Sequence, residues 1–213
     1  MLEYTSSKQL NSERFFSHIK PGLMHDLELS APLDPNNTFF FSDPHFDHTN
    51  IIRYCNRPFK DADEMNETIL HNYLEVVKPD SLVFFLGDIA FGRGSRKPQW
   101  WLAQLPGIIT YIKGSHDHGL RPTNLDNCHT SLILNTGVGK VLLIHSPWEV
   151  EARNWQGWVI HGHTHSTQMV DREHRRVCVC VEATGYRPVS LQQIRNAAGF
   201  CQDVLARQDL SVV

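Results

Sequence analysis

Long apolar runs are missing from this chain of 213 residues. The longest stretches, such as Ser81–Leu86 and Val141–Ile144, fall far short of the ~20 residues a bilayer-spanning helix needs. A membrane partner is therefore not expected. Cysteine is sparse and odd in number: Cys55, Cys128, Cys178, Cys180 and Cys201. Their irregular spacing argues against a disulfide framework, and a reducing cytoplasm fits best. Cys178-Val179-Cys180 reads as an alternating strand with two small buried thiols on one face. Excess positive charge is also missing, with 20 Lys+Arg against 23 Asp+Glu and a net charge of −3. No global basic field exists to hold nucleic acid. The first residues, Met1-Leu2-Glu3-Tyr4-Thr5, lack the basic and apolar regions of a cleaved secretion signal. No internal repeat or low-complexity tract is present.

Histidine, in contrast, is abundant. There are 13, and eight of them (His45, His48, His116, His118, His145, His161, His163, His165) lie in or beside five short segments. The segments are Asp43-Pro44-His45, Gly87-Asp88, Gly114-Ser115-His116-Asp117, His145 and Gly162-His163-Thr164-His165. Each follows a β-like apolar run: Phe39–Phe41, Leu82–Leu86, Ile108–Ile112, Val141–Ile144 and Trp158–Ile160. Ends of neighbouring strands converge on one sheet edge, where ligands bind in open α/β sheets. Any one of these segments is a weak signal. Five together, all with nitrogen and oxygen donors, read as a two-metal hydrolase site, because carboxylates and imidazoles packed without a cation are costly to bury.

Residues 1–37 are read as an N-terminal extension with a short helix over Leu10–Ile19, and 38–213 as one domain. Strand Thr38–Ser42 opens the domain. Asp61 caps a helix whose apolar stripe is Met65, Ile69, Tyr73 and Val77, with Leu70 and Leu74. Strand Ser81–Leu86 is apolar throughout, as in a sheet covered on both faces. A short helix over Gln99–Leu105 and strand Ile108–Ile112 follow. Ser131–Leu134 and Val141–Ile144 read as a hairpin, with further strands at Trp158–Ile160 and Val177–Val181. Ser190 and Gln193 form a capping-box pattern for a last helix. The class is α/β.

In order and spacing, these segments resemble the calcineurin-like metallophosphoesterases, whose signature runs Asp-x-His, Gly-Asp, Gly-Asn-His-Asp/Glu, His and Gly-His-x-His. The likeness covers roughly residues 38–190. The stretch from Asp43 to Phe59 is similar to a small bacterial and phage-type branch. The resemblance implies a four-layer α/β/β/α sandwich with metals at the strand edge. It implies two divalent ions (Mn, Fe, Zn or Co), the first held by Asp43, His45 and His165, the second by His145 and His163, with Asp88 bridging. It further implies hydrolysis of a phosphodiester or nucleotide-like phosphomonoester by a hydroxide bridging the ions. His116 is the implied general acid, with Asp117 orienting it. The implied partner is a small phosphoester. Imidazole and carboxylate donors without thiolate suit these metals.

One position departs from the pattern. Ser115 stands where the family has Asn, whose amide oxygen ligates the second metal. Three outcomes stay open: a weakened binuclear enzyme, a site mononuclear when metal is scarce, or a metal-binding scaffold with lost catalysis. Asp47, where the branch has Gly, is read as a loop-cap residue or a support for His45 or His48. Substrate contacts are expected from His48, Arg57 and Arg153, with Arg53 a further candidate. His118 and His161 are read as supporting or surface residues. The tryptophans are read as packing, with Trp148 and Trp155 able to shape a pocket. A nuclease lacks its basic track. A metallo-β-lactamase-type motif explains only Asp43–His48, and a TIM-barrel amidohydrolase would carry its His-x-His earlier than residue 163. Oligomeric state is not indicated.

Overall fold

The computed structural model describes residues 25–27, 32–118, 120 and 127–199. The expected helix over Leu10–Ile19 lies outside them. In chain order the elements are β1 (His25–Leu27), β2 (Thr38–Phe41), α1 (Thr49–Tyr54), α2 (Ala62–Val76), β3 (Leu82–Phe85), α3 (Pro98–Leu102), β4 (Ile108–Ile112), β5 (Cys128–His129) and β6 (Ser131–Asn135). They continue with β7 (Lys140–Ile144), α4 (Val150–Asn154), β8 (Trp158–His161), β9 (Val170–Asp171), β10 (Arg176–Cys178), α5 (Val181–Thr184), β11 (Val189–Ser190) and α6 (Leu191–Ala198).

The strands form two sheets, ordered β11-β2-β3-β4-β5 and β1-β6-β7-β8-β10-β9. In the first, β2, β3 and β4 run parallel, with Phe39 beside Val83 and Val83 beside Ile109. In the second, β6 and β7 make the expected antiparallel hairpin, and β8 runs parallel to both β7 and β10. The segment before Thr38 contributes β1, parallel to β6 at the edge of this sheet. Parallel strands need covered faces, and side-chain alternation supplies two apolar faces per sheet. Phe39, Phe41, Val83 and Phe85 pack on Met65, Ile69 and Tyr73 of α2 and Trp101 of α3. Phe40, Phe84, Leu86 and Ile112 face the second sheet, meeting Leu132, Leu143, Ile160 and Val177. Leu142, Ile144 and Val159 on the far side pack under Ala152 and Trp155. The order is helix, sheet, sheet, helix: the four-layer α/β/β/α sandwich.

Local chemistry sets the helix ends. The Asp61 side chain accepts from the Glu64 amide at 2.9 Å and starts α2. Ser190 and Gln193 complete a reciprocal capping box on α6. The apolar stripe of α2 is narrower than its sequence suggests. Leu70 is only partly buried and Leu74 is 45% exposed. Among the described residues, no helix is long and apolar enough to cross a membrane.

Candidate metal centre

The five segments meet where the parallel strands end. The Asp43 amide donates to Gly87 O at 3.0 Å, and the Gly162 amide to His145 O at 3.0 Å, stitching the turns together within each sheet. Ser42 pairs with Cys180 to join the two halves. The glycines follow from this crowding. A Cβ on Gly162 would overlap Ser42 Oγ and Asp43 Oδ2, and one on Gly114 would overlap Asp88 Oδ1. The backbone is also forced. Asp43, His45, Asp88, His163 and His165 all have positive φ, from 48° to 68°. That region is sparsely used by side-chain-bearing residues, and such strain collects at functional sites. Five of the seven expected metal ligands therefore sit on left-handed backbone, which curls their side chains toward one point.

Two ligand groups result. Asp43, His45 and His165 form one, and Asp88, His145 and His163 the other. In the first, Asp43 Oδ1 lies 3.8 Å from His45 Nε2 and 3.9 Å from His165 Nε2. In the second, His145 Nε2 lies 3.3 Å from Asp88 Oδ2 and 3.2 Å from His163 Nδ1. Asp88 Oδ2 is also 3.7 Å from His45 Nε2, so one carboxylate oxygen faces both groups. Ser115 Oγ stands 3.2 Å from Asp88 Oδ2 and 3.5 Å from both His145 Nε2 and His163 Nδ1. Donors bound ~2.0–2.2 Å from one ion are separated by roughly 3.0–3.6 Å. The second group with Ser115 matches that spacing; the first is slightly wider.

Three of the ligands, His145, His165 and Asp43, are held by partners that leave one atom free. His145 Nδ1 is 2.6 Å from Leu86 O, which makes it the donor and frees Nε2. His165 Nδ1 is 2.9 Å from Glu182 Oε1, with the same effect. Asp43 Oδ2 accepts from the His163 amide at 2.9 Å and the Cys180 thiol at 3.4 Å, and lies against Ser42 Oγ. Its Oδ1 is buried with no hydrogen-bond partner, as are both ring nitrogens of His45. Unpaired buried polar atoms are costly. Orphans on the Asp43–His45 loop, grouped with His165 from the other sheet, fit a divalent cation, and the donor set suits imidazole- and carboxylate-binding metals.

Electrostatics without a cation reflects the same crowding. Burial pushes the His45 imidazole well below its ordinary value. Burial, then the His145 charge, lowers His163. Burial opposes ionisation at Asp88, yet the His145 hydrogen bond and charge hold its carboxyl well below the usual range. Burial also works against His145, but Asp88 and Asp43 outweigh it and push the imidazole up to about 9. His165 is raised despite burial, by Glu182 and Asp43.

His116 stands exposed at the mouth, its ring 5.5 Å from His45 and 4.2 Å from Phe91. His48 lies beside it, 5.0 Å from the same Phe91 ring. Two expected roles do not fit the geometry. Asp117 does not orient His116. It is buried, and one oxygen accepts from the Asp88 amide (2.9 Å), the Gly114 amide (2.7 Å) and the Tyr111 hydroxyl (2.8 Å). It ties two ligand turns together; burial raises its pKa, and the backbone donors pull it back. Arg57 does not reach a substrate. Its buried guanidinium donates to Pro44 O at 2.7 Å and Asp43 O at 2.8 Å and pairs with Glu182 at 2.8 Å. Of the two readings of Asp47, the loop role fits and support of His45 or His48 does not. It accepts from Arg96, from Trp101 Nε1 at 3.0 Å and from Asn66 Nδ2 at 2.9 Å, anchoring the ligand loop to α2 and α3.

Arg153 is exposed on α4 and His118 is exposed beside Asp117. His161 is buried with Nδ1 2.8 Å from Gly162 O, and burial lowers it to about 4. Glu182, Ser42 and Phe91 are site residues that sequence reasoning missed. None carries a motif, and Glu182 reaches His165 only through the packing of α5.

The chain is 35% identical over 162 residues to the uncharacterized protein MJ1445 of Methanocaldococcus jannaschii, covering 73% of this chain and 88% of that one. It is 31% identical over 195 residues to the gene 66 protein of Mycobacterium phage L5, covering 75% of this chain and 92% of that one. The chain belongs to the family of these two proteins. A solved structure with the same fold comes from Aquifex aeolicus, the protein of unknown function AQ665. The TM-score is 0.56 at 25% identity, over 75% of this chain and 98% of that one. No protein-family profile matches this family member.

Proposed function

We propose that this family member is a metal-dependent phosphoesterase of the calcineurin-like metallophosphoesterase type. The observation that carries the reading is Asp88 Oδ2, which faces His45 Nε2 at 3.7 Å and His145 Nε2 at 3.3 Å. A carboxylate facing two ligand groups is suited to bridge two ions. Asp43, His45 and His165 would hold one divalent ion, and His145, His163 and Ser115 the other, with Asp88 shared. Such ions supply Lewis acidity to a phosphoryl group and a nucleophile at neutral pH. The protein's own part is to fix the donors: Leu86 O and Glu182 set the two imidazole tautomers, and Arg57 holds the Asp43 loop. His116, exposed at the mouth, is suited to protonate a leaving alkoxide. His48 beside it is suited to contact the phosphoryl oxygens.

The alternative is a metal-binding scaffold whose catalysis is weakened or lost at Ser115. The contacts of Ser115 Oγ to all three members of the second group favour a working centre. The test is direct. Purified protein is stripped, reloaded with Mn, counted for metal and assayed on an aryl phosphodiester. Two ions per chain and turnover lost in His116→Ala with metal retained support the reading. Two bound ions with no turnover on diester or monoester substrates would favour the scaffold.

A further inference from the structure

Beside the second ligand group lies a cavity of about 170 Å³, lined among others by Trp148, Ser166, Gln168, Met169, Asp171 and Arg176. Its wall is shared with the metal centre. The Trp148 ring packs edge-on against His163 at 5.3 Å and 80°, and Thr164, between the two ligating histidines, lines it too. Nothing in the catalytic reading uses this space.

The lining is mixed in a specific way. Trp148 is 57% exposed although it is a large aromatic side chain, and with Met169 it offers an apolar wall. Arg176 is half-buried there, and its guanidinium has no hydrogen-bond partner among the described residues. Gln168 donates Nε2 to Val170 O at 2.9 Å, which leaves Oε1 to accept. Donors and acceptors beside an aromatic face suit a planar heterocycle with a mixed hydrogen-bonding edge. A second phosphate group is disfavoured by the Asp171 carboxylate. The volume is below the ~300–1,000 Å³ of drug-sized pockets and matches one ring system.

We propose that this cavity receives the base of a nucleotide phosphoester whose phosphoryl group lies at the adjacent metal centre. The proposal rests on the phosphoesterase reading and names its substrate class. Arg176 and Gln168 read the base edge, and Trp148 stacks on its face.

Two measurements on the full chain test it. First, Mn-loaded protein is assayed on thymidine 5′-(p-nitrophenyl phosphate) and on methyl p-nitrophenyl phosphate, and the ratio of kcat/KM is read. The nucleotidyl ester is expected to be favoured at least tenfold, with the ratio falling at least fivefold in Arg176→Ala and in Gln168→Ala. Second, thymidine 5′-monophosphate is titrated into metal-free protein while tryptophan fluorescence is followed, with inorganic phosphate as control. Quenching by the nucleotide but not by phosphate, reduced in Trp148→Phe, is expected. Nucleotide quenching with neither ester hydrolysed would sink the catalytic reading and leave the base site standing. Hydrolysis of the small ester with a ratio near one, and no quenching, would overturn the base site and leave the catalytic reading intact.

Discussion

One oxygen of Glu182 serves two basic side chains: Oε1 lies 2.9 Å from His165 Nδ1 and 2.8 Å from the Arg57 guanidinium. Arg57 in turn donates to the carbonyls of Asp43 and Pro44. Glu182 thus orients one expected ligand directly and the loop of two others through Arg57. Burial works against ionisation of Glu182, but the His165 hydrogen bond, then the Arg57 charge, hold its carboxyl below the ordinary value.

Glu182→Gln is expected to weaken metal binding at the first ligand group. The amide oxygen still reaches His165, but the charge that favours its Nδ1 proton is gone. Losses from such supporting partners run about 10–100-fold. Calorimetric titration of Mn into stripped protein reads this as a weakened first step with the second step retained. An unchanged isotherm would remove Glu182 from the metal centre.

Arg57→Ala separates a structural guanidinium from a substrate-binding one. The Arg57–Glu182 side chains are 0% and 2% exposed, so truncation leaves a buried carboxylate without its cation. Breaking such a pair costs about 3–5 kcal/mol. Urea denaturation of the metal-free variant is expected to show a loss of that size. A midpoint equal to wild type, with only KM raised, would return Arg57 to the role its sequence position suggested.

Ser115 is the weakest expected ligand, yet its hydroxyl sits among all the others of the second group. Ser115→Ala is expected to reduce affinity there roughly tenfold, near the lower end for lost site partners. Ser115→Asn, with a longer amide oxygen donor, is expected to tighten it. Both are read from the second step of the same titration. Two identical isotherms would make residue 115 a bystander.

The sandwich was legible because strand runs such as Leu82–Phe85 and Ile108–Ile112 carry continuous apolar character, and the hairpin and capping signals are local. The ligand groups were legible because each strand end bears its own short motif. What was hidden depends on tertiary closure. Glu182 and Arg57 are 125 positions apart, and nothing in either neighbourhood marks the pair. The resemblance implied that Asp117 orients His116. The turn Gly114–Asp117 instead sends the carboxylate inward, to three donors including Tyr111. Arg57 shows the limit of charge as a signal, since a guanidinium near a ligand loop serves backbone carbonyls as readily as phosphate.

Metal and proton compete at His145, and this sets opposite pH trends with and without metal. The imidazole is pushed up to about 9 by Asp88 and Asp43, against burial. Its folded value is therefore above the unfolded value of about 6.5. Its contribution to stability in metal-free protein is fully present below about pH 6.5 and is lost as pH rises through about 9. A metal ion binds only the neutral ring, so between pH 7 and 8 one proton must leave for each ion at this group. Affinity is then expected to rise about tenfold over that unit from His145 alone. Metal-free protein is expected to lose thermal stability from pH 7 to 9, while the Mn-loaded protein gains or holds. Titrations in two buffers of different ionisation enthalpy would show proton release near one per ion. No release at pH 7, or an affinity flat to pH 8.5, would mean that His145 is neutral before metal arrives and that the Asp88 contact does not protonate it.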